Sequence, residues 1–143
     1  MSDDLETWLF TCLANRRWAR AVANGKLADE AMDELTDDEW REAMTAHPRI
    51  GERGGHAPAA SEREQSRAMQ SSPATLADLA AENRRYEERF GHVFLIAAQG
   101  RDADEILAEL RRRMKNSPTA EFEEAKRELR KITRTRVGRP ASA

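Results

Sequence analysis

The chain has 143 residues, of which 35% are charged, 39% hydrophobic and 6% aromatic, and its formal net charge is -2. That is one domain's worth of sequence, too apolar for a disordered chain and lacking the overall basic charge of a general nucleic-acid or anionic-lipid binder. The one cysteine, Cys12, excludes an internal disulfide and a CxxC motif. It lies in the apolar run Leu9, Phe10, Cys12, Leu13 and reads as a small buried hydrophobe. No stretch approaches the ~20 apolar residues a membrane-spanning helix needs. The acidic start, Met1-Ser2-Asp3-Asp4, is unlike a secretion signal, so the cytoplasm is the expected compartment.

In chain order, residues 4–14 read as a first helix, with Leu5, Leu9, Phe10 and Leu13 on one side. Asn15 interrupts it. A second short helix carries Trp18, Ala19, Val22 and Ala23 and stops at Gly25. Leu27 to Leu35 gives a third, and Thr36-Asp37-Asp38-Glu39 is a capping box for a fourth that runs to the His47 region. Four such short helices are not stable alone and must close on the second half of the chain.

After His47-Pro48-Arg49-Ile50-Gly51, the residues Gly54, Gly55 and Pro58 predict irregular backbone until Ser61. There Ser61 and Glu64 stand at capping-box spacing and open a helix that Ser71-Ser72-Pro73 closes. Residues 73–90 form the next helix, with Leu76, Leu79, Ala80, Asn83, Tyr86 and Phe90 on one stripe and Gly91 at its end. His92 to Ala98 is a compact apolar run with no second strand to pair with, so an irregular segment packed in the core is expected. Gly100-Arg101-Asp102 restarts a helix bearing Ala103, Ile106, Leu107, Leu110 and Met114. The last helix, from Thr119, carries Phe122, Ala125, Leu129 and Ile132. The fold class is all-α, a single-domain bundle of about eight helices.

Charge is unevenly placed. Residues 1–46 hold eleven Asp/Glu against five Lys/Arg, whereas residues 126–139 hold seven basic side chains and one acid. The basic tail reads either as a nucleic-acid footprint or as an anion-binding wall beside an acidic body.

Four polar residues stand out from the helical pattern. Pro48 biases His47 away from helical backbone, so its imidazole leaves the helix axis, although a satisfied structural histidine is the commoner use of a lone His. Glu64 is either a capping residue alone or a carboxylate facing the 47–60 loop, where it could take a proton from His47 or from a substrate hydroxyl. Asn83, an amide on an apolar face, needs a hydrogen-bond partner; supporting the backbone of 92–98 is favoured over touching a substrate. Arg136 lies four after Ile132, which is three after Leu129, so helical spacing aims it inward while Arg134 lies on another side. His47, His56 and His92 have no HxxxH or HxH spacing, and there is no nucleotide-binding glycine loop. What remains is a cofactor-free, metal-free pocket of one histidine, one carboxylate and one arginine, a set suited to a small anion.

At these residues the chain resembles the 2-oxo-4-hydroxy-4-carboxy-5-ureidoimidazoline (OHCU) decarboxylases of urate degradation. The matching pieces begin with Cys12, Trp18-Ala19 and Asp38-Glu39-Trp40-Arg41-Glu42-Ala43, which leads into HPRIG at 47–51. Ser61-x-x-Glu64-Gln65, Asn83-x-x-Tyr86-x-x-Arg89-Phe90-Gly91, Phe94-Leu95-Ile96 and Gly100-Arg101 follow. Ile106-Leu107-x-x-Leu110 and Lys131-Ile132-Thr133-Arg134-Thr135-Arg136-Val137 complete the set. The match runs over residues 5–137 of one domain spanning 1–143, with a tail, 138–143, expected to be flexible.

The resemblance implies an all-helical homodimer that decarboxylates OHCU to (S)-allantoin and CO2 without a cofactor, with no nucleic-acid or membrane partner. It places the catalytic residues at His47, Glu64 and Arg136. It further implies that Pro48 lines the pocket and that the segment 92–97, with Phe94, Leu95, Ile96 and Ala97, meets the substrate ring through its backbone amides; Asn83, from the helical reading, is kept as a candidate contact. Two positions depart from the family's pattern: Ala60 stands where a tryptophan is common, and Thr135 where a leucine is common. These departures leave room for a non-catalytic scaffold on the same fold.

Overall fold

Short polar side chains fix where most of the helices begin. The computed structural model describes residues 2–49 and 58–138, and among these there are eight α-helices: α1 Ser2–Cys12, α2 Arg16–Ala23, α3 Ala28–Asp33, α4 Asp37–Thr45, α5 Pro58–Gln65, α6 Pro73–Phe90, α7 Ala103–Arg113 and α8 Pro118–Val137. Asn15 accepts from Trp18 N at 2.8 Å to start α2. Thr36 with Glu39, and Asp102 with Glu105, form capping boxes for α4 and α7. Ser72 and Ser117 cap α6 and α8, each followed by a proline whose missing N–H costs nothing at a helix start. Each such cap is worth about 1 kcal/mol. At the other end of α6, Gly91 takes the left-handed conformation (φ 79°) and closes the helix through its N–H on Glu87 O at 2.8 Å.

Three local expectations are corrected. Helix α5 begins at Pro58, so Ser61 lies inside it rather than at its cap, and Glu64 lies in the last turn rather than the first. A proline favours the first helical position, which moves the start three residues upstream of the apparent capping box. That helix also ends at Gln65, and a separate 3₁₀ turn spans Ala68–Gln70. Ala80 is exposed rather than on the buried face of α6, which is made by Leu79, Asn83 and Tyr86. Residues 50–57, which include Gly51, Gly54, Gly55 and His56, and the tail from 139 to 143 lie outside the described residues.

Two apolar clusters make the core. The first joins α1–α4 to one face of α8 through Leu9, Leu13, Trp18, Met32, Trp40, Met44, Ala125 and Leu129. The second joins α6 to α7 through Leu79, Tyr86, Ile106 and Leu110. Burying each of the larger side chains stabilises the fold by about 1.5–3 kcal/mol. Helix α1 packs on both α2 and α8, which is how the short N-terminal helices find the long C-terminal one.

Between the clusters runs the segment after α6, and it is non-helical from 93 to 98 as expected. Leu95 belongs to the first cluster, whereas Phe94, Ile96 and Ala98 belong to the second. The segment is therefore a seam between two cores, and all four of these side chains are buried.

Charge asymmetry along the sequence becomes complementarity in the fold. Arg134 Nε pairs with Asp29 Oδ1 at 2.9 Å, and Arg130 with Asp33 at 2.7 Å. Lys126 lies 3.6 Å from Asp37. The basic face of α8 thus meets the acidic first half of its own chain, and Arg136 is turned inward with 4% exposure. No helix of the described residues is long and apolar enough to cross a membrane.

Candidate functional site

Four stretches of chain converge on one cavity enclosing about 310 Å³, part of it open to solvent. The end of α4 contributes His47 and Pro48, and α5 contributes Ser61, Glu64 and Gln65. The seam segment adds Phe94, Leu95, Ile96 and Ala98, and α8 adds Ile132. His47 is 7% exposed. Its position follows from the sequence: Ala46 caps α4, and His47 N still reaches back to Met44 O at 3.2 Å before Pro48 turns the chain away.

Arg136 approaches Glu64 from α8. Its Nε donates to Glu64 Oε2 and its Nη2 to Glu64 Oε1, both at 2.9 Å, a two-pronged contact that fixes the plane of the carboxylate. Nη2 also lies 3.4 Å from Ser61 Oγ, and Nη1 donates to Thr11 O at 3.2 Å. That carbonyl is at the C-terminal end of α1, where the helix presents unsatisfied oxygens and favours a cation. The three elements α1, α5 and α8 therefore hold one guanidinium.

Cys12 is next to this pair. Burial pushes its thiol up to about 11 against the opposing pull of the Arg136 charge. The thiol stays protonated at neutral pH, which suits packing and not nucleophilic chemistry.

A second cavity of about 200 Å³ adjoins the first and shares Glu64, Ala98 and Ile132 with it. Ala97, Gln99 and Thr135 complete its wall. The Thr135 departure noted in the sequence thus lies in a cavity wall that Glu64 shares.

The positions singled out in the sequence fall into three groups. His47, Pro48, Glu64, Phe94, Leu95 and Ile96 line the first cavity, and Ala97 lines the second. Arg136 is joined to them through Glu64 without itself forming either wall. Asn83 is buried at 2% exposure on α6 and forms neither wall. No cluster of three His, Cys, Asp or Glu side chains able to hold a metal occurs among the described residues.

A second polar centre was not anticipated. Arg113, from α7, directs Nε and Nη2 to Glu121 of α8 at 2.9 and 2.5 Å, and its Nη1 to Leu95 O at 2.6 Å. Glu121 also accepts from Tyr86 OH and from Asn116 Nδ2. Burial and the Glu121 carboxylate together raise the Tyr86 hydroxyl above its ordinary range, so it remains a donor. For Arg113, burial alone would lower the guanidinium, but Glu121, with Tyr86 and Glu124, outweighs it and the net shift is upward. The signal was present in the sequence, because Arg113 follows Leu110 by three and Ile106 by seven on the apolar stripe of α7.

A histidine, a carboxylate locked by a guanidinium, and an apolar strip thus meet at one cavity of an all-helical protein. The chain belongs to the OHCU decarboxylase family, whose sequence model matches residues 2–138. It is 37% identical over 107 residues to the Arabidopsis thaliana uric acid degradation bifunctional protein TTL, a match covering 71% of this chain. The matched region is 33% of that protein, so the chain spans about a third of its curated relative's length. Among solved structures it is similar to an OHCU decarboxylase crystallised in the presence of (S)-allantoin, with a TM-score of 0.81 and 31% identity. That likeness covers 96% of this chain and 99% of the other.

Proposed function

We propose that the chain decarboxylates OHCU to (S)-allantoin and CO2 without a cofactor, within urate breakdown, and that His47, Glu64 and Arg136 carry the reaction. The observation behind this reading is Glu64, held by Arg136, in the wall that also holds His47, in a chain of this family. The substrate's departing carboxylate sits on a ring carbon next to a C=N bond. As the C–C bond breaks and CO2 leaves, its electron pair moves into a new ring C=C and the imine nitrogen takes the negative charge. That ring nitrogen takes up one proton from solvent; a second proton delivered to the adjacent carbon, with loss of the hydroxyl proton, then leaves a carbonyl and sets one handedness.

His47 handles the hydroxyl and moves the proton. Glu64, with its plane set by Arg136, holds the polar edge of the substrate. Backbone groups of the seam segment receive the ring oxygen as charge develops. Pro48, Phe94, Leu95 and Ile96 form the apolar wall that removes water from the departing carboxylate. Arg136 acts through Glu64 in this scheme, since its three nitrogens already have partners; Asn83 supports from behind. The reading also takes the protein as one domain over 1–143, a cytoplasmic homodimer with no nucleic-acid or membrane partner.

The test is to follow freshly generated OHCU by circular dichroism. Wild-type protein is expected to give fast, one-handed allantoin formation, and His47→Ala to slow it by roughly 10²–10⁴-fold. Racemic decay at the uncatalysed rate with wild-type protein would leave a helical scaffold in place of an enzyme.

A further inference from the structure

We infer that Arg113 and Glu128, which lie behind the seam segment, are positioning residues that decide which backbone groups meet the ligand; the inference rests on the decarboxylase reading above. Arg113 Nη1 donates to Leu95 O at 2.6 Å, and Glu128 Oε1 accepts from Ala97 N at 2.9 Å. Both side chains are anchored in turn. Arg113 is clamped by Glu121 and lies over the Phe94 ring at 4.5 Å, while the other oxygen of Glu128 takes Lys131 Nζ at 2.6 Å. Burial alone would raise the Glu128 carboxyl, but Lys131, the Ala97 amide and the Arg113 charge hold it below the ordinary carboxylate range.

No peptide bond is cis among the described residues. In a planar trans peptide the C=O of one residue and the N–H of the next point in opposite directions. Tying Leu95 O to Arg113 therefore turns Ile96 N–H away from Arg113. Tying Ala97 N to Glu128 likewise turns Ile96 C=O away from Glu128. One residue thus presents a donor and an acceptor together on the edge opposite the two anchors. Residues 94–96 line the cavity, and Ile96 is 4% exposed.

A donor and an acceptor side by side on one edge match the HN–C=O edge of a cyclic ureide. The same anchors remove competitors, because Ala97 N–H and Leu95 O are already occupied. If either peptide plane rotated, the ring could seat on its other face and the returning proton would lose its preferred side.

The test compares the full chain with Glu128→Ala, Glu128→Gln and the double change Arg113→Met/Glu121→Leu, which removes both buried charges rather than stranding one. In wild type, (S)-allantoin is expected to shift the Ile96 amide resonance, and Ala97 amide hydrogen exchange to be slow. Glu128→Ala should speed that exchange, lower kcat by roughly 10–100-fold at little-changed KM, and reduce the enantiomeric excess of the product. Glu128→Gln keeps an acceptor oxygen and should restore most of both. The folded double variant should lose handedness as well. Faster Ala97 exchange with wild-type kcat and handedness would overturn the inference while leaving the decarboxylase reading intact, as would unchanged Ala97 exchange in Glu128→Ala. If wild type does not turn over OHCU, that reading fails, and the Ile96 shift with (S)-allantoin alone then decides whether the anchored edge binds a ureide.

Discussion

The Glu64–Arg136 and Glu121–Arg113 pairs use the same two-pronged contact in different surroundings. Around Glu121, Tyr86, Asn116 and Arg113 supply donors, and the Arg113 and Glu121 side chains are 2% and 0% exposed. Glu64 is 12% exposed and lies in the walls of two cavities. Complete enclosure makes the Glu121–Arg113 pair part of the frame, holding Leu95 and two helices together. The Glu64–Arg136 pair instead keeps its carboxylate in two cavity walls. Residue type does not separate the two; what else touches the carboxylate does.

The largest effect expected from breaking this contrast is on stability at the enclosed pair. Arg113→Ala strands the Glu121 carboxylate and should cost about 3–5 kcal/mol in urea denaturation, whereas Arg113→Met/Glu121→Leu should recover most of that loss. If both variants were equally unstable, the packing of the arginine stem would matter more than its charge. Glu64→Gln should separate the pairs further, lowering decarboxylation by about 10²-fold or more while shifting the urea midpoint less than Arg113→Ala does. Equal damage to stability at both sites would make the open pair a scaffold too.

Smaller effects lie at the edges. Thr36→Ala removes the capping box of α4, the helix that delivers His47, and should cost about 1 kcal/mol in thermal unfolding. Acid should weaken two further clamps. Arg17, with the Thr36 amide, holds Glu39 at about 2, and Arg112 holds Glu124 at about 2 against the effect of burial. Both carboxyls lie below their unfolded values, so their stabilisation is complete above the ordinary carboxylate range and disappears as pH falls toward 2. A denaturation midpoint that stayed flat over that interval would remove both from the account. Arg134→Ala, at an exposed pair with Asp29, should change stability by about 1 kcal/mol or less.

Much of the site was legible because helical spacing says which side of a helix a residue occupies. Leu129, Ile132 and Arg136 share a stripe, and Arg136 is buried while Arg134 pairs with Asp29 on the outside. Applied to α7, the same rule would have flagged Arg113 after Ile106 and Leu110; its membership in a run of three arginines hid it. Glu64 shows the limit of a local motif. Ser61 and Glu64 matched a capping box in spacing, yet a proline upstream had already begun the helix, and both side chains were free to turn toward Arg136.

Local chemistry alone determined the all-α class, five of the helix starts and the break at 92–98, because caps, prolines, glycines and apolar periodicity act over a few residues. Tertiary structure decided which carboxylate each buried arginine meets and which peptide groups of the seam are already occupied. Those choices join residues up to 125 positions apart, from Thr11 to Arg136. Partners so distant are set by how the two cores close on each other, and no short-range pattern encodes that.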